Sequence, residues 1–380
     1  MKLKPKITIE SHFNNIEDPR IERKKLHKLI DIITIAICAV ICGAETWEDI
    51  EIFGQSKHDW LKKILELPNG IPSHDTFSRV FARIDPLQFQ QSFINWAQSI
   101  SKLTSGKFIS VDGKTLCNSY DSSSDKSAIH MVNAWVSANR LVLGQIKVDE
   151  KSNEITAIPK LLRFLCLQGC IVTIDAIGCQ KEIVRQIVTQ EGDYVIALKK
   201  NQGSLYSRVE NLFKEACQNQ FQGFEYSTFR MDDNAHGRQE IRHCIHLSNI
   251  QDLIDPSSNW EQLTSVAMMN SWRTENGVTT FETRYYISSL PNNAELLAQA
   301  IRGHWCIENQ LHWVLDVAFN EDDSRIRRDN APQNFAILRQ IALNLLNKET
   351  SLKKGVRRKR NKAGWDNEYL EKVLSGLFIS

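Results

Sequence analysis

Residues 172–180 read VTIDAIGCQ. Val172, Thr173 and Ile174 are β-branched and favour a strand. That strand runs into a charge, Asp175, and a glycine follows three positions later. Upstream, LLRFLCLQGC reads as a helix stopped at Gly169, since glycine is the usual residue just past a helix end. Downstream, CQKEIVRQIVTQEG carries apolar residues at helical spacing. Asp175 thus falls where a strand meets a helix. In α/β folds, ligands gather at the carboxyl ends of strands. Taken alone, the commoner explanation is a helix N-cap or turn aspartate, because Asp favours both places.

The same texture extends on both sides. KFISVD reads as a strand ending in Asp112, and AIHMVNAWVSA and RLVLGQIKV alternate like strands joined by a tight turn at ANR. EITAIPKLLRFLC is helical, CIVTID a strand, CQKEIVRQIV a helix, DYVIAL a strand and SLYSRVENLFKEAC a helix. Three strands followed by alternating helix and strand give a mixed sheet with helices on its faces. Residues 220–290 alternate with turn-like breaks and read as a β-rich insertion. Helix returns over 294–319 and again in QNFAILRQIALNLLNKE. Residues 1–105 read as wholly helical. There Ser73 could cap DTFSRVFARI, and Ser73, His74, Thr76 and Arg79 near a helix start fit either a helix-turn-helix DNA reader or a plain helical bundle. The fold class expected is α+β: a helical N-terminal domain (1–105), a mixed-sheet core in two parts (106–219 and 291–350), the β-rich insertion (220–290), and a basic C-terminal tail and helix (351–380).

Composition narrows the function. The net charge is only +2, and 42% hydrophobic with 24% charged residues suits a soluble chain with a sizeable core. Attraction to nucleic acid must then come from local patches. One is Lys348–Lys362, with eight basic residues and one acid; phosphate attraction and a solvated tail both fit it. Nine cysteines occur without a CxxC pair, which argues against a zinc ribbon or disulfide framework; Cys38/Cys42 and Cys166/Cys170, spaced i,i+4 in apolar helical surroundings, read as buried free thiols, and the expected compartment is a reducing cytoplasm. The most apolar run, Ile32–Ala44, is short of the ~20 residues a bilayer requires and reads as a core helix.

Asp112 and Asp175 close two strands of one sheet, and strands in the same phase set such residues side by side. Two adjacent carboxylates repel, and a divalent cation relieves the repulsion. Mg²⁺ prefers such oxygen ligands. A third acid is expected, and the 294–319 helix offers Glu308.

ISVDGKTL, TIDAIGCQ, DYVIALKKNQ and RGHWCIENQLHWVLDVAFNEDDSRIRRDNAPQN resemble, in that order, the motifs of bacterial insertion-sequence DDE transposases, in the branch that includes the H-repeat-associated proteins of Rhs elements. The resemblance runs from about residue 10 to the C-terminus. It implies an RNase H-like core interrupted by a β insertion before the last acid. It also implies Asp112, Asp175 and Glu308 as a catalytic triad holding Mg²⁺, with Mn²⁺ as a substitute, and a cytoplasmic enzyme that cuts DNA at element ends and transfers the strand. The partner expected is double-stranded DNA, bound by a homodimer. Two other readings keep the fold: a domesticated, catalytically silent DNA-binding protein, and a nuclease without strand transfer.

One departure stands out. Where the broader superfamily carries Tyr, Arg and Lys around the Glu, this chain has Ile301, His304 and Leu315. His304, Glu308 and His312 are instead successive i,i+4 neighbours on one helix face. These histidines fit hydrogen bonding to phosphate or carboxylate better than metal ligation, because oxygen-rich Mg²⁺ sites rarely use imidazole. Trp305 and Trp313 read as core residues. Lys114, Lys199, Lys200, Asn201, Gln202 and His304, with Arg357, Arg358, Lys359 and Arg360 of the basic run, are the candidate DNA contacts; ordinary turn polarity explains the loop residues among them equally well. His236, Gly237 and Arg238 resemble a motif of the same branch and fit a hairpin or a DNA contact.

Overall fold

The computed structural model describes residues 11–101, 107–120, 127–149, 152–235, 237–257 and 259–378. The helices α1 (Leu29–Ile41), α2 (Trp47–Ser56), α3 (His58–Leu61), α4 (His74–Arg83) and α5 (Pro86–Ser101) come first. The strands β1 (Phe108–Leu116), β2 (Ile129–Val136) and β3 (Leu141–Lys147) follow. Then come α6 (Glu154–Leu162), β4 (Ile171–Ile174), α7 (Lys181–Thr189), β5 (Asp193–Leu198) and α8 (Gly203–Gln218). Four long strands, β6 (Glu225–Ala235), β7 (Arg238–Ser248), β8 (Ser265–Glu275) and β9 (Val278–Ser288), carry a short α9 (Gln251–Ile254) between the second and third. The chain finishes with α10 (Ala294–His304), a π-helical turn (Glu308–His312), α11 (Trp313–Phe319), α12 (Ala331–Lys348), α13 (Val356–Trp365) and α14 (Asn367–Phe378).

The sheet is mixed and nine-stranded, in the order β3-β2-β1-β4-β5-β9-β8-β7-β6. The meander-then-alternation order read from the sequence is the order found, and the regular elements among the described residues of the N-terminal region are all helices. Strands β1, β4 and β5 run parallel, and the β6–β9 meander joins antiparallel at β5. Two local expectations change. Strand β1 continues to Leu116, so Asp112 lies within it rather than at its end. Helix α6 stops at Leu162, well before Gly169, which adopts φ +67° in the turn leading to β4.

By contact density the chain divides into two compact units. Unit 1 is Met1–Lys102, Gly113–Lys151 and Glu308–Ser380; unit 2 is Leu103–Asp112 and Ser152–Ile307. Unit 1 is built on α12, whose residues from Ala331 to Leu346 are all buried. It packs against α1, α4, α5 and β3. Trp47 bridges this core, stacked on Phe81 and edge-on to Phe335. Unit 2 buries α10 against its sheet, with Leu297, Ala298 and Ile301 set on Ile171, Val195 and Ala267. At Gly303 an added Cβ would lie 3.4 Å from the Phe108 ring, so the missing side chain lets helix and strand approach closely.

Candidate active site

The two aspartates are aligned by strand register. β1 and β4 pair in parallel with Val111 opposite Ile174, so Asp112 and Asp175 are the residues that follow on neighbouring strands, and adjacent strands lie about 4.8 Å apart in a sheet. All four residues of β4 are buried. Asp175, half-buried, is the first point at which this strand can present a charge.

Asp175 is also a cap. Its Oδ1 accepts the Ile177 N–H at 3.0 Å and opens a single 3₁₀ turn, Ala176–Gly178. The turn folds so tightly onto the strand that a Cβ on Gly178 would collide with Ile174 Cγ2. Asn201 and Gln202 brace it from the side. Asn201 Nδ2 donates to the Ala176 carbonyl at 2.7 Å, and Gln202 Nε2 to the Cys179 carbonyl at 2.8 Å. Burial and the nearby Glu154 charge push the Asp175 carboxyl above the ordinary range, against the pull of the Ile177 and Gly178 backbone N–H groups. A carboxylate in that setting gains from a cation.

His304 lies in the same unit and uses its ring inward. Its Nδ1 is 3.1 Å from Thr173 Oγ1, which donates to Ser110 Oγ at 3.2 Å. Thr173 and Asp175 are two apart in sequence, so His304 braces α10 against the strand that leads into Asp175.

Glu308 opens the π turn of unit 1, with 57% of its side chain exposed. The 294–319 helix of the sequence reading is therefore not one regular helix. A π turn inserts one residue into the helical register and is frequent at functional sites. Within it, Glu308 Oε2 and His312 Nδ1 are 3.5 Å apart, and His312 is buried. Trp305 and Trp313, read as core, are 43% and 60% exposed. The Arg284 guanidinium lies over Trp305, and Trp313 lines a groove with Val317, Arg140, Arg357 and Arg358.

Several candidate DNA contacts have partners inside the protein. Lys114 is buried, and its Nζ pairs with Asp316, with Glu321 at 2.9 Å and with Asp322 at 3.6 Å. Burial alone would depress this ammonium, but the carboxylates outweigh it and hold the pKa above the usual lysine value. A side chain so enclosed and neutralised is a structural cation, which corrects its reading as a phosphate contact. The basic run is corrected likewise. It forms α13, in which Arg357 and Arg358 are exposed while Lys359 and Arg360 are buried. Lys359 Nζ donates to the carbonyls of Leu346 (2.7 Å) and Glu349; Arg360 donates to those of Val40 (3.0 Å) and Ala318 and lies over the Phe319 ring. Lys199 and Lys200 are exposed. At α4 the Ser73 side chain does not cap the helix; Glu51 does, taking the His74 N–H at 2.7 Å. Gly237 adopts φ +73° in the β6–β7 turn, and His236 lies outside the described residues. The roles of Asn133, Asn201, Gln202 and Gln340 as internal braces carry no local signal in the sequence, since each depends on a distant partner.

The chain belongs to the DDE transposase family: the model of the transposase DDE domain matches residues 103–345, and that of its associated domain matches residues 10–97. It is similar to the H repeat-associated putative transposase YhhI of Escherichia coli K12, at 44% identity over 97% of this chain and 98% of that one. It is also similar to the putative transposase YncI of Escherichia coli O157:H7, at 44% identity over 95% and 92%. Among the described residues no helix is long and apolar enough to cross a membrane.

Proposed function

We propose that this protein is a divalent-metal-dependent transposase that cleaves a DNA phosphodiester at the ends of an insertion-sequence-like element and joins the freed 3′-hydroxyl to target DNA. The observation that carries the reading is the register of β1 and β4, which aligns Asp112 with Asp175, in a chain of the DDE family. Glu308, in the motif that the family resemblance singles out, is the proposed third acid. The donor set is all carboxylate oxygen, the chemistry that suits Mg²⁺, with Mn²⁺ as a substitute. When bound, the metal would neutralise charge on the phosphate under attack and lower the pKa of the attacking water.

The protein's own share is positioning. The Asp175 cap, the Asn201 and Gln202 braces and His304 against Thr173 fix where the Asp175 carboxylate stands. Preorganised placement of this kind lowers the barrier without a covalent enzyme intermediate. Lys199, Lys200, Arg357 and Arg358 are the proposed phosphate contacts, because they are exposed. The working assembly on DNA is proposed to be a homodimer in the cytoplasm.

The test uses the full chain and a plasmid carrying the DNA that flanks its gene. Wild type should nick and then join strands with Mg²⁺ and do neither with EDTA. Asp175→Asn should abolish both while gel-shift binding stays within a few-fold. Wild-type cleavage by Asp175→Asn sinks the triad. Cleavage without joining leaves a nuclease, and metal-independent binding alone leaves a silent DNA-binding protein.

A further inference from the structure

Behind Glu308 lies a buried line of amides with a fixed direction. Gln340, on α12, places Nε2 2.7 Å from Asn133 Oδ1 and 2.6 Å from Gln145 Oε1. An amide nitrogen has two hydrogens, so Gln340 donates both. Asn133 then turns its own Nδ2 toward His312 Nε2, at 3.5 Å. That nitrogen can only donate, so Nε2 accepts and the ring proton sits on Nδ1. Nδ1 faces Glu308 Oε2 at 3.5 Å. With the ring neutral, reversing every amide would leave an imidazole lone pair against a carboxylate, two acceptors opposed. The acid at the end of the line therefore decides the direction of all of it.

The line is costly to keep. Asn133, Gln145, Gln340 and His312 are all buried, and Gln145 Nε2 and Gln340 Oε1 find no hydrogen-bond partner among the described residues. Buried, unpaired polar atoms destabilise a fold. Packing alone would be served better by apolar side chains on β2, β3 and α12. From this we infer that Gln340 and Asn133 hold His312 in its Nδ1–H tautomer, and that His312 is thereby a positioning residue for Glu308, a constant donor that fixes the rotamer of the carboxylate and keeps it ready to ligate. The inference rests on the proposed role of Glu308. It assigns His312 no bond to metal and no proton transfer. Groups that orient a metal-binding side chain from behind commonly change affinity or activity by about 10–100-fold when removed.

The experiment combines three readings on the full chain. Histidine ¹⁵N-labelled protein, with the His312 signal identified by its loss in His312→Gln, reports the tautomer directly by NMR. The Nδ1–H form is expected in wild type, and Asn133→Leu should lose it while the circular dichroism spectrum is kept. Mn²⁺ titration followed by EPR should show binding weakened about tenfold in His312→Ala and largely restored in His312→Gln, whose amide can donate in the same direction. In DNA cleavage, His312→Ala should lower kcat by at least tenfold with KM for DNA unchanged. An Nε2–H tautomer in wild type overturns the inference, as does unchanged Mn²⁺ affinity together with unchanged kcat in His312→Ala. Failure of wild type to cleave DNA at all would instead overturn the proposed function, and the tautomer and Mn²⁺ readings would still decide the role of His312.

Discussion

Asp175 joins an observed role, the cap, to a proposed one, the metal ligand. It is the N-cap that its position after a strand suggests, because one carboxylate oxygen takes the Ile177 N–H. A carboxylate has a second oxygen and several lone pairs, so capping does not consume it. The cap and the side-chain amides of Asn201 and Gln202 make the placement of Asp175 rigid. Asn201→Ala should slow cleavage about tenfold or more, in line with the cost of small misplacements at a reacting centre. It should lower unfolding free energy by only about 1 kcal/mol, the ordinary worth of one hydrogen bond. Single-turnover cleavage with a urea titration on the same sample checks both. Lys114 is the opposite case. Replacing it by Met would leave Glu321, 3% exposed, without one of its cations. Unfolding free energy should fall by about 3–5 kcal/mol, the usual cost of breaking a buried pair. The salt dependence of DNA binding should not change, and a flattened slope would return Lys114 to the phosphate contacts.

At the scale of elements, α13 divides a run of like charges into two roles. RRKR at 357–360 is uniform in sequence, but a helix turns each residue about 100° from the last. Arg357 and Arg358 therefore face out while Lys359 and Arg360 bond carbonyls inside. Arg357→Ala with Arg358→Ala should reduce the slope of log binding constant against log salt by about two, near 0.9 for each lost phosphate contact. Thermal stability should stay the same. Lys359→Met with Arg360→Met should act the other way, lowering the melting temperature by several degrees while the folded fraction keeps its salt slope. Binding across a salt series and a thermal melt separate the two pairs. The π turn at Glu308 is the other element-scale result. Helical spacing in 294–319 was legible, but the extra residue in the register was not. A π turn is stabilised by what packs around it rather than by its own composition.

For the molecule as a whole, acid should be more damaging than the surface charges alone imply. His246 is buried in unit 2 and accepts the Asn293 N–H through Nδ1 at 3.1 Å. Burial pushes its pKa down from 6.5 to about 4. The folded protein thus refuses a proton that the unfolded chain accepts. The sign follows: above pH 6.5 both states are neutral and nothing is lost, stability falls as pH drops from 6.5 to about 4, and below that this group adds no further change. The full loss is about 3 kcal/mol, at 1.36 kcal/mol per pKa unit. Urea unfolding of wild type and His246→Gln between pH 7.5 and 4 should show a steeper decline in wild type. Parallel curves would show that His246 titrates normally.

What is local can be read from residue order alone. The β-branched run before Asp175, the alternation in β2 and β3 and the apolar spacing of α7 and α12 follow from side-chain period, which needs no partner. The order of strands and helices, the helical N-terminal region and an aspartate at or near the end of each of two strands were readable on those grounds, while the register that aligns them came from the pairing of β1 with β4. Tertiary structure alone decided which polar residues are used inside. Lys114 finds Glu321 207 residues away, Gln340 finds Asn133 across the same separation, and Arg360 finds Val40 across 320. A lysine reads as a surface cation, and an amide as turn polarity, until the fold brings it a partner. Burial then makes that partner obligatory, because a polar group removed from water must be satisfied within the protein.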